Sequence, residues 1–72
     1  MNIIWSKNNC IFCDMAKDFC DKFDISYEER NINKDWSKDD MLKMVPEAKT
    51  VPQIFINDEY IGGYSDLIHK YS

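Results

Sequence analysis

Apolar residues along the chain follow three different periods, and each period predicts a kind of element. Ile3-Ile4-Trp5 is a short unbroken apolar run, which reads as a buried strand. Ser6 to Asn9 reads as a loop. Phe12, Ala16, Phe19 and Phe23 recur at i, i+4, i+7 and i+11, which is one face of a helix predicted over Cys13 to Phe23, with Cys10 at its N-terminus. Asp24 connects it to a second strand, Ile25 to Asn31, with Ile25, Tyr27 and Glu29 on one face. A polar stretch, Ile32 to Ser37, follows. Ser37 is a suitable N-cap, with Asp39 and Asp40 in the first turn. Met41, Leu42, Met44 and Val45 then give the apolar face of a short helix that Pro46 ends.

Beyond Thr50-Val51-Pro52 the pattern returns to strands. Gln53 to Ile56 and Glu59 to Ile61 flank Asn57-Asp58, a dipeptide suited to the positive φ of a two-residue hairpin. Gly62-Gly63 interrupts the chain, and a last helix runs from Tyr64 or Ser65 to about Tyr71. The predicted order is β-α-β-α-β-β-α, an α/β class, in one domain over residues 1–72. The first two strands should be parallel, joined by a right-handed crossover. The sequence has no repeats, linkers or low-complexity segments.

Composition narrows the functional classes. With 72 residues, 44% hydrophobic content and a net charge of −4, a compact acidic domain is expected, and nucleic acid is not expected as its main partner. No apolar run approaches the roughly 20 residues of a membrane span. Met1 leads into Ile3-Ile4-Trp5 without a basic stretch or cleavage site, so no signal peptide is expected and the predicted location is cytoplasmic. Thiols are kept reduced there, and a CxxC is then more often catalytic or metal-binding than structural.

The chemistry centres on Cys10-Ile11-Phe12-Cys13. Residues three apart on a helix have β-carbons roughly 5–6 Å apart, close enough for a reversible disulfide. The free N–H groups of the first helical turn carry partial positive charge. They favour a thiolate at Cys10 and lower its pKa below the ordinary value of about 8.5; Lys7 adds a cation. Cys10 is therefore read as the exposed attacking thiolate, and Cys13 as the buried thiol that resolves a mixed disulfide. Zinc would need four ligands, and only Cys20 and His69 accompany the pair. Cys20 is roughly 10 Å along the helix from Cys13, too far to share a metal. It reads as a small hydrophobe at the core edge, His69 as a surface residue, and Asp14, Asp18 and Asp21 as a solvated face.

Three separated motifs resemble a known family: Lys7 with Cys10-Ile11-Phe12-Cys13 and Ala16-Lys17; Thr50-Val51-Pro52-Gln53-Ile54-Phe55-Ile56; and Gly62-Gly63-Tyr64-Ser65-Asp66-Leu67. Together they resemble a dithiol glutaredoxin over nearly the whole chain, in a compact form similar to virus-encoded members. The resemblance implies the thioredoxin fold, a four-stranded mixed sheet of order 2-1-3-4 flanked by three helices, with Pro52 cis and facing the cysteines. It implies a glutathione-dependent thiol–disulfide oxidoreductase acting on protein disulfides and glutathione mixed disulfides. Glutathione would be the reductant and no metal would be needed. Catalysis falls to Cys10 and Cys13. The glutathione contacts fall to Lys7, Phe12, Thr50, Val51, Pro52, Gly63, Ser65 and Asp66. Lys7 would meet the glycyl carboxylate, the Val51 backbone the cysteinyl unit, and Ser65 and Asp66 the γ-glutamyl end. A monomer acting on disulfide-bearing proteins, ribonucleotide reductase among them, is implied.

The sequence departs from the family pattern at two places. Ile11 stands where a proline is usual, and Phe12 where a tyrosine is usual. Lys34, Lys38 and Lys49 are candidates for a second basic contact. Two other functions share these residues: a small redox donor recharged by thioredoxin reductase, and a carrier holding an iron–sulfur cluster on Cys10 and glutathione. The Thr50–Pro52 and Gly62–Asp66 segments favour glutathione over the first. The bulk of Ile11 and the availability of Cys13 count against the second.

Overall fold

The computed structural model describes residues 1–72. The elements are β1 (Ile3–Ser6), α1 (Ile11–Lys22), β2 (Glu28–Asn31), α2 (Lys38–Met44), β3 (Gln53–Ile56), β4 (Glu59–Gly62) and α3 (Tyr64–Tyr71). They form one four-stranded sheet of order β2-β1-β3-β4. β1 runs parallel to β2 and antiparallel to β3, and β3 is antiparallel to β4. This is the thioredoxin fold.

The central strands are apolar throughout because helices cover both faces of the sheet. Ile4, Ile54 and Ile56 point to one side, where they pack with Ala16 and Cys20 of α1 and Leu67 of α3. Ile3, Trp5 and Phe55 point to the other, against Met41 and Val45 of the α2 segment. The edge strand β2 reads Glu28-Glu29-Arg30-Asn31, a charged edge that resists pairing with another chain. At the other edge, Asn57 and Asp58 have φ of 52° and 67° and close the β3–β4 hairpin. The starts of α2 and α3 are each capped by a carboxylate three residues on. Ser37 and Asp40 form a reciprocal box on α2, and Asp66 accepts from the Gly63 N–H at 3.0 Å on α3.

Several boundaries differ from the sequence reading. α1 starts two residues earlier than predicted, because Cys10 itself is the N-cap, with extended backbone and its sulfur accepting from the Cys13 N–H. The second strand begins at Glu28 rather than Ile25. Asp24 adopts a φ of 56° and the Ile25 N–H bonds to the Cys20 carbonyl at 2.8 Å, so these residues finish the helix. Ile25 and Tyr27 still pack on the core, but from a loop. The face that α1 buries is also different: Cys13, Ala16 and Cys20 are fully buried, while Phe12 and Phe23 are more than half exposed. Small side chains let the helix lie close on the sheet. Of the predicted face, Ala16 and Phe19 do pack on the core; Phe19 also meets Phe23, at the end of its own helix, and Tyr71 of α3, with ring centroids 4.6 and 5.9 Å apart. Cys20 accordingly sits in the core and not at its edge. Its burial, with Asp21 nearby, pushes its thiol pKa up.

Candidate active site

The site forms where the β1–α1 loop, the segment before β3 and the start of α3 converge. Cys10 and Cys13 are joined as a disulfide, with Cα atoms 5.2 Å apart. The Cys13 N–H points at the Cys10 sulfur at 3.1 Å. That donor, with the other free N–H groups of the first turn, is what would hold negative charge on Cys10 after reduction. Cys10 is 8% exposed and Cys13 not at all. The expected order of access is kept, but Cys10 is reached through a narrow opening and does not stand free. The next two residues, Ile11 and Phe12, are 75% and 58% exposed.

Across the opening, the Val51 carbonyl oxygen lies 3.8 Å from the Cys10 sulfur. The Val51–Pro52 peptide bond is cis. From here a cleft of about 400 Å³ runs between the two segments, lined by Phe12, Thr50, Val51, Pro52, Gly63, Tyr64 and Ser65. Phe12 and Tyr64 close one end as an aromatic pair with centroids 6.0 Å apart. The sequence places Tyr64 in the glycine motif and at a possible start of the last helix but assigns it no contact in the site. Its place at the first position of α3, directly after the glycine pair, was the available signal. A larger depression of about 640 Å³ lies between the end of α2 and the β3–β4 hairpin. It shares only Thr50 with the cleft and includes neither Phe12 of the Cys10–Cys13 motif nor Val51, whose carbonyl faces the Cys10 sulfur, so the chemistry belongs to the smaller one.

Lys7 and Asp66 do not line the cleft. Lys7 is exposed on the β1–α1 loop and pairs with no carboxylate. That loop is tied down by the Asn8 N–H donating to the Asn33 side chain at 2.9 Å and by Asn31 donating to the Asn8 side chain at 3.2 Å. These bonds bring the loop that carries Lys34 beside the loop that carries Lys7; Lys38 begins α2 and Lys49 lies at the larger depression. Asp66 is exposed, with one oxygen engaged by the Gly63 N–H. No group of three His, Cys, Asp or Glu side chains is placed to hold a metal ion.

The glutaredoxin family profile matches residues 2–61. This chain belongs to the glutaredoxin family. Glutaredoxin 1 of Rickettsia prowazekii (strain Madrid E) is 35% identical over 69 residues, which covers 93% of this chain and 73% of that protein. Glutaredoxin 1 of Escherichia coli (strain K12) is 32% identical over 72 residues, covering 90% of this chain and 85% of that one. Among solved structures, glutaredoxin 1 from Francisella tularensis complexed with cacodylate superposes with a TM-score of 0.83 at 28% identity, over 97% of this chain and 90% of that chain. A buckwheat glutaredoxin–glutathione complex shares the fold, with a TM-score of 0.81 at 24% identity over 97% of this chain and 66% of that one. Glutaredoxins are thiol–disulfide oxidoreductases, and in this glutaredoxin the redox motif is Cys10-Ile11-Phe12-Cys13.

Proposed function

We propose that this glutaredoxin takes its electrons from glutathione and binds it in the cleft beside Cys10. The observation that carries the reading is convergence. Of the residues expected to contact glutathione, all but Lys7 and Asp66 line one cleft, and one of them, Val51, has its carbonyl oxygen 3.8 Å from the Cys10 sulfur. Backbone groups of Val51 offer strand-like pairing to a cysteinyl peptide. The start of α3, with Ser65 exposed beside Gly63, offers N–H groups to a carboxylate. Lys7 and Asp66 stand outside as charged ends for the glycyl carboxylate and the γ-glutamyl ammonium.

Catalysis follows from thiol exchange. The Cys10 thiolate attacks the glutathione sulfur of a glutathionylated protein, forming a Cys10–glutathione disulfide and releasing the protein thiolate, which takes a proton from solvent. A second glutathione thiolate attacks the glutathione sulfur of that disulfide, giving oxidised glutathione and restoring the Cys10 thiolate. With a protein disulfide, Cys10 forms a mixed disulfide with the protein. Cys13, once deprotonated, attacks the Cys10 sulfur, expels the second protein thiol and leaves Cys10–Cys13 oxidised. Two glutathione molecules then reduce it, becoming one oxidised glutathione. A cytoplasmic setting fits this chemistry, because glutathione keeps thiols reduced there.

The test is steady-state reduction of a glutathionylated peptide with either glutathione plus glutathione reductase or thioredoxin reductase as electron source. Turnover that saturates with glutathione and is absent with thioredoxin reductase is the expected result. The reverse pattern rejects the reading. An anaerobic absorption spectrum of freshly purified protein separates a cluster carrier from both.

A further inference from the structure

The residue after Pro52 is buried and polar. Gln53 is 7% exposed and sits on the second strand from the edge, paired with Trp5 on one side. A buried amide must find partners or lose their energy, and both ends of this one do. Its Nε2 donates to the Thr50 carbonyl at 2.7 Å, and its Oε1 accepts from the Tyr60 hydroxyl. Tyr60 is itself held over Phe55, its cross-strand partner, with ring centroids 5.3 Å apart.

The Thr50 carbonyl and the Val51 N–H belong to one peptide plane. The plane is rigid and, since Val51–Pro52 is the one cis bond in the chain, it is trans. In a trans peptide the C=O and N–H point in opposite directions. Gln53 pulling on the carbonyl from the α2 side of the sheet therefore aims the Val51 N–H away from that side. That N–H makes no hydrogen bond within the chain. It belongs to Val51, which lines the cleft and whose own carbonyl oxygen lies 3.8 Å from the Cys10 sulfur.

We infer that Tyr60 and Gln53 form a brace that orients the Val51 N–H as a donor to the backbone of a peptide disulfide, making Gln53 a positioning residue for substrate. The inference rests on the reading of the cleft as the peptide site, and it assigns the pre-ordering of that site to side chains outside it. Without the brace, the Thr50–Val51 peptide plane is free to rotate, and an incoming peptide must order it on binding. The loss should fall on binding a peptide and spare the intrinsic reactivity of Cys10.

The test uses the full chain, pre-reduced, as wild type, Gln53→Glu, Gln53→Leu and Tyr60→Phe. Glu keeps the acceptor for Tyr60 and replaces the donor to Thr50 with an acceptor, at nearly equal volume. Each protein is mixed with oxidised glutathione and, separately, with 5,5′-dithiobis(2-nitrobenzoate), a disulfide with no peptide backbone. Rapid quenching and mass spectrometry read the rate. The half-saturating concentration of oxidised glutathione should rise about five- to tenfold in both Gln53 variants, the equivalent of one hydrogen bond. In Tyr60→Phe it should rise about two- to threefold. The limiting rate and the reaction with the aromatic disulfide should stay within about twofold of wild type. Unchanged half-saturation in Gln53→Glu and Tyr60→Phe, or equal slowing with both disulfides, overturns the inference. Tyr60→Phe replaces a half-exposed residue and keeps the test open should Gln53→Leu not fold. If wild type fails to saturate with oxidised glutathione, the glutathione reading itself has failed. The brace is then judged on a disulfide-linked pair of cysteine tripeptides. A selective five- to tenfold slowing there supports it, and none overturns it.

Discussion

The Cys10 sulfur and the Val51 carbonyl oxygen lie 3.8 Å apart, although 41 residues separate them in the chain. A disulfide substrate must enter beside this pair. Inside it, Cys13 is fully buried and is joined to Cys10. The two cysteines therefore face different partners: Cys10 the substrate, Cys13 only Cys10.

From that difference in access, Cys10→Ser should abolish all exchange. Cys13→Ser should lose reduction of protein disulfides yet keep removal of glutathione from a mixed disulfide. In the reduced wild type at pH 6, a short pulse of iodoacetamide should place one adduct, on Cys10. Cys20 should remain unlabelled, because it is fully buried and burial raises its pKa. Labelling of Cys13 or Cys20 first, read by peptide mass mapping, contradicts the assignment.

Lys7 and Asp66 should separate into different effects. Lys7 is exposed and unpaired, so Lys7→Ala removes a contact of about 0.2–1 kcal/mol, a rise in KM for glutathione of up to about fivefold with unchanged stability. Asp66 also caps α3 through the Gly63 N–H. Asp66→Ala should therefore cost about 0.5–2 kcal/mol of stability as well. Asp66→Asn keeps an acceptor for the cap and should restore most of the stability while KM stays raised. Urea unfolding and steady-state kinetics on the three variants decide; unaltered KM in all of them removes these residues from the site.

Gly62 is the position where the hairpin meets that cap. Its φ is +110°, and a Cβ there would overlap the Asp66 carboxylate. Gly62→Ala should destabilise the fold by about 1–3 kcal/mol and loosen the start of α3. The urea midpoint should fall and the half-saturation with glutathione should rise. A midpoint equal to wild type would falsify the proposed role of this contact.

Acid stability should depend on a polar cluster under α1. Burial alone would raise the Glu29 pKa. Hydrogen bonds from Lys17 at 2.9 Å and from the buried Ser6 hydroxyl at 2.7 Å outweigh it and hold the carboxyl below its ordinary range. A carboxylate depressed in the folded state stabilises above its unfolded pKa, about 4.3. That contribution is lost as pH falls through the lower, folded value. Lys17 shifts the other way: its hydrogen bond to Glu29 raises its pKa against the opposing effect of burial. Its contribution is complete below about pH 10.4 and is lost as pH rises through the higher folded value. Glu29→Gln should make the thermal midpoint less dependent on pH below about 4.3 while lowering it at pH 7. An unchanged acid limb in this variant contradicts the assignment.

Local rules were enough for much of this fold. The unbroken apolar runs at Ile3–Trp5 and Ile54–Ile56, the Ser37 cap, the Asn57-Asp58 turn and the CxxC at a helix start each act over a few residues, so each was legible in the chain. The motif around Thr50–Pro52 and the glycine pair, matched to a family pattern, named most of the cleft in advance. Tertiary packing decided the rest. Helical periodicity on α1 offers two adjacent stripes, Phe12-Phe19-Phe23 and Cys13-Ala16-Cys20, and hydrophobicity alone favours the phenylalanines. The sheet chose the smaller set because a helix resting on flat strands needs short side chains beneath it, and α3 offered the rings another surface. The limited access to Cys10 and the bonds from Gln53 to Thr50 and Tyr60 are likewise products of distance. They join residues whose closeness no local period encodes, and only the assembled sheet brings them within reach.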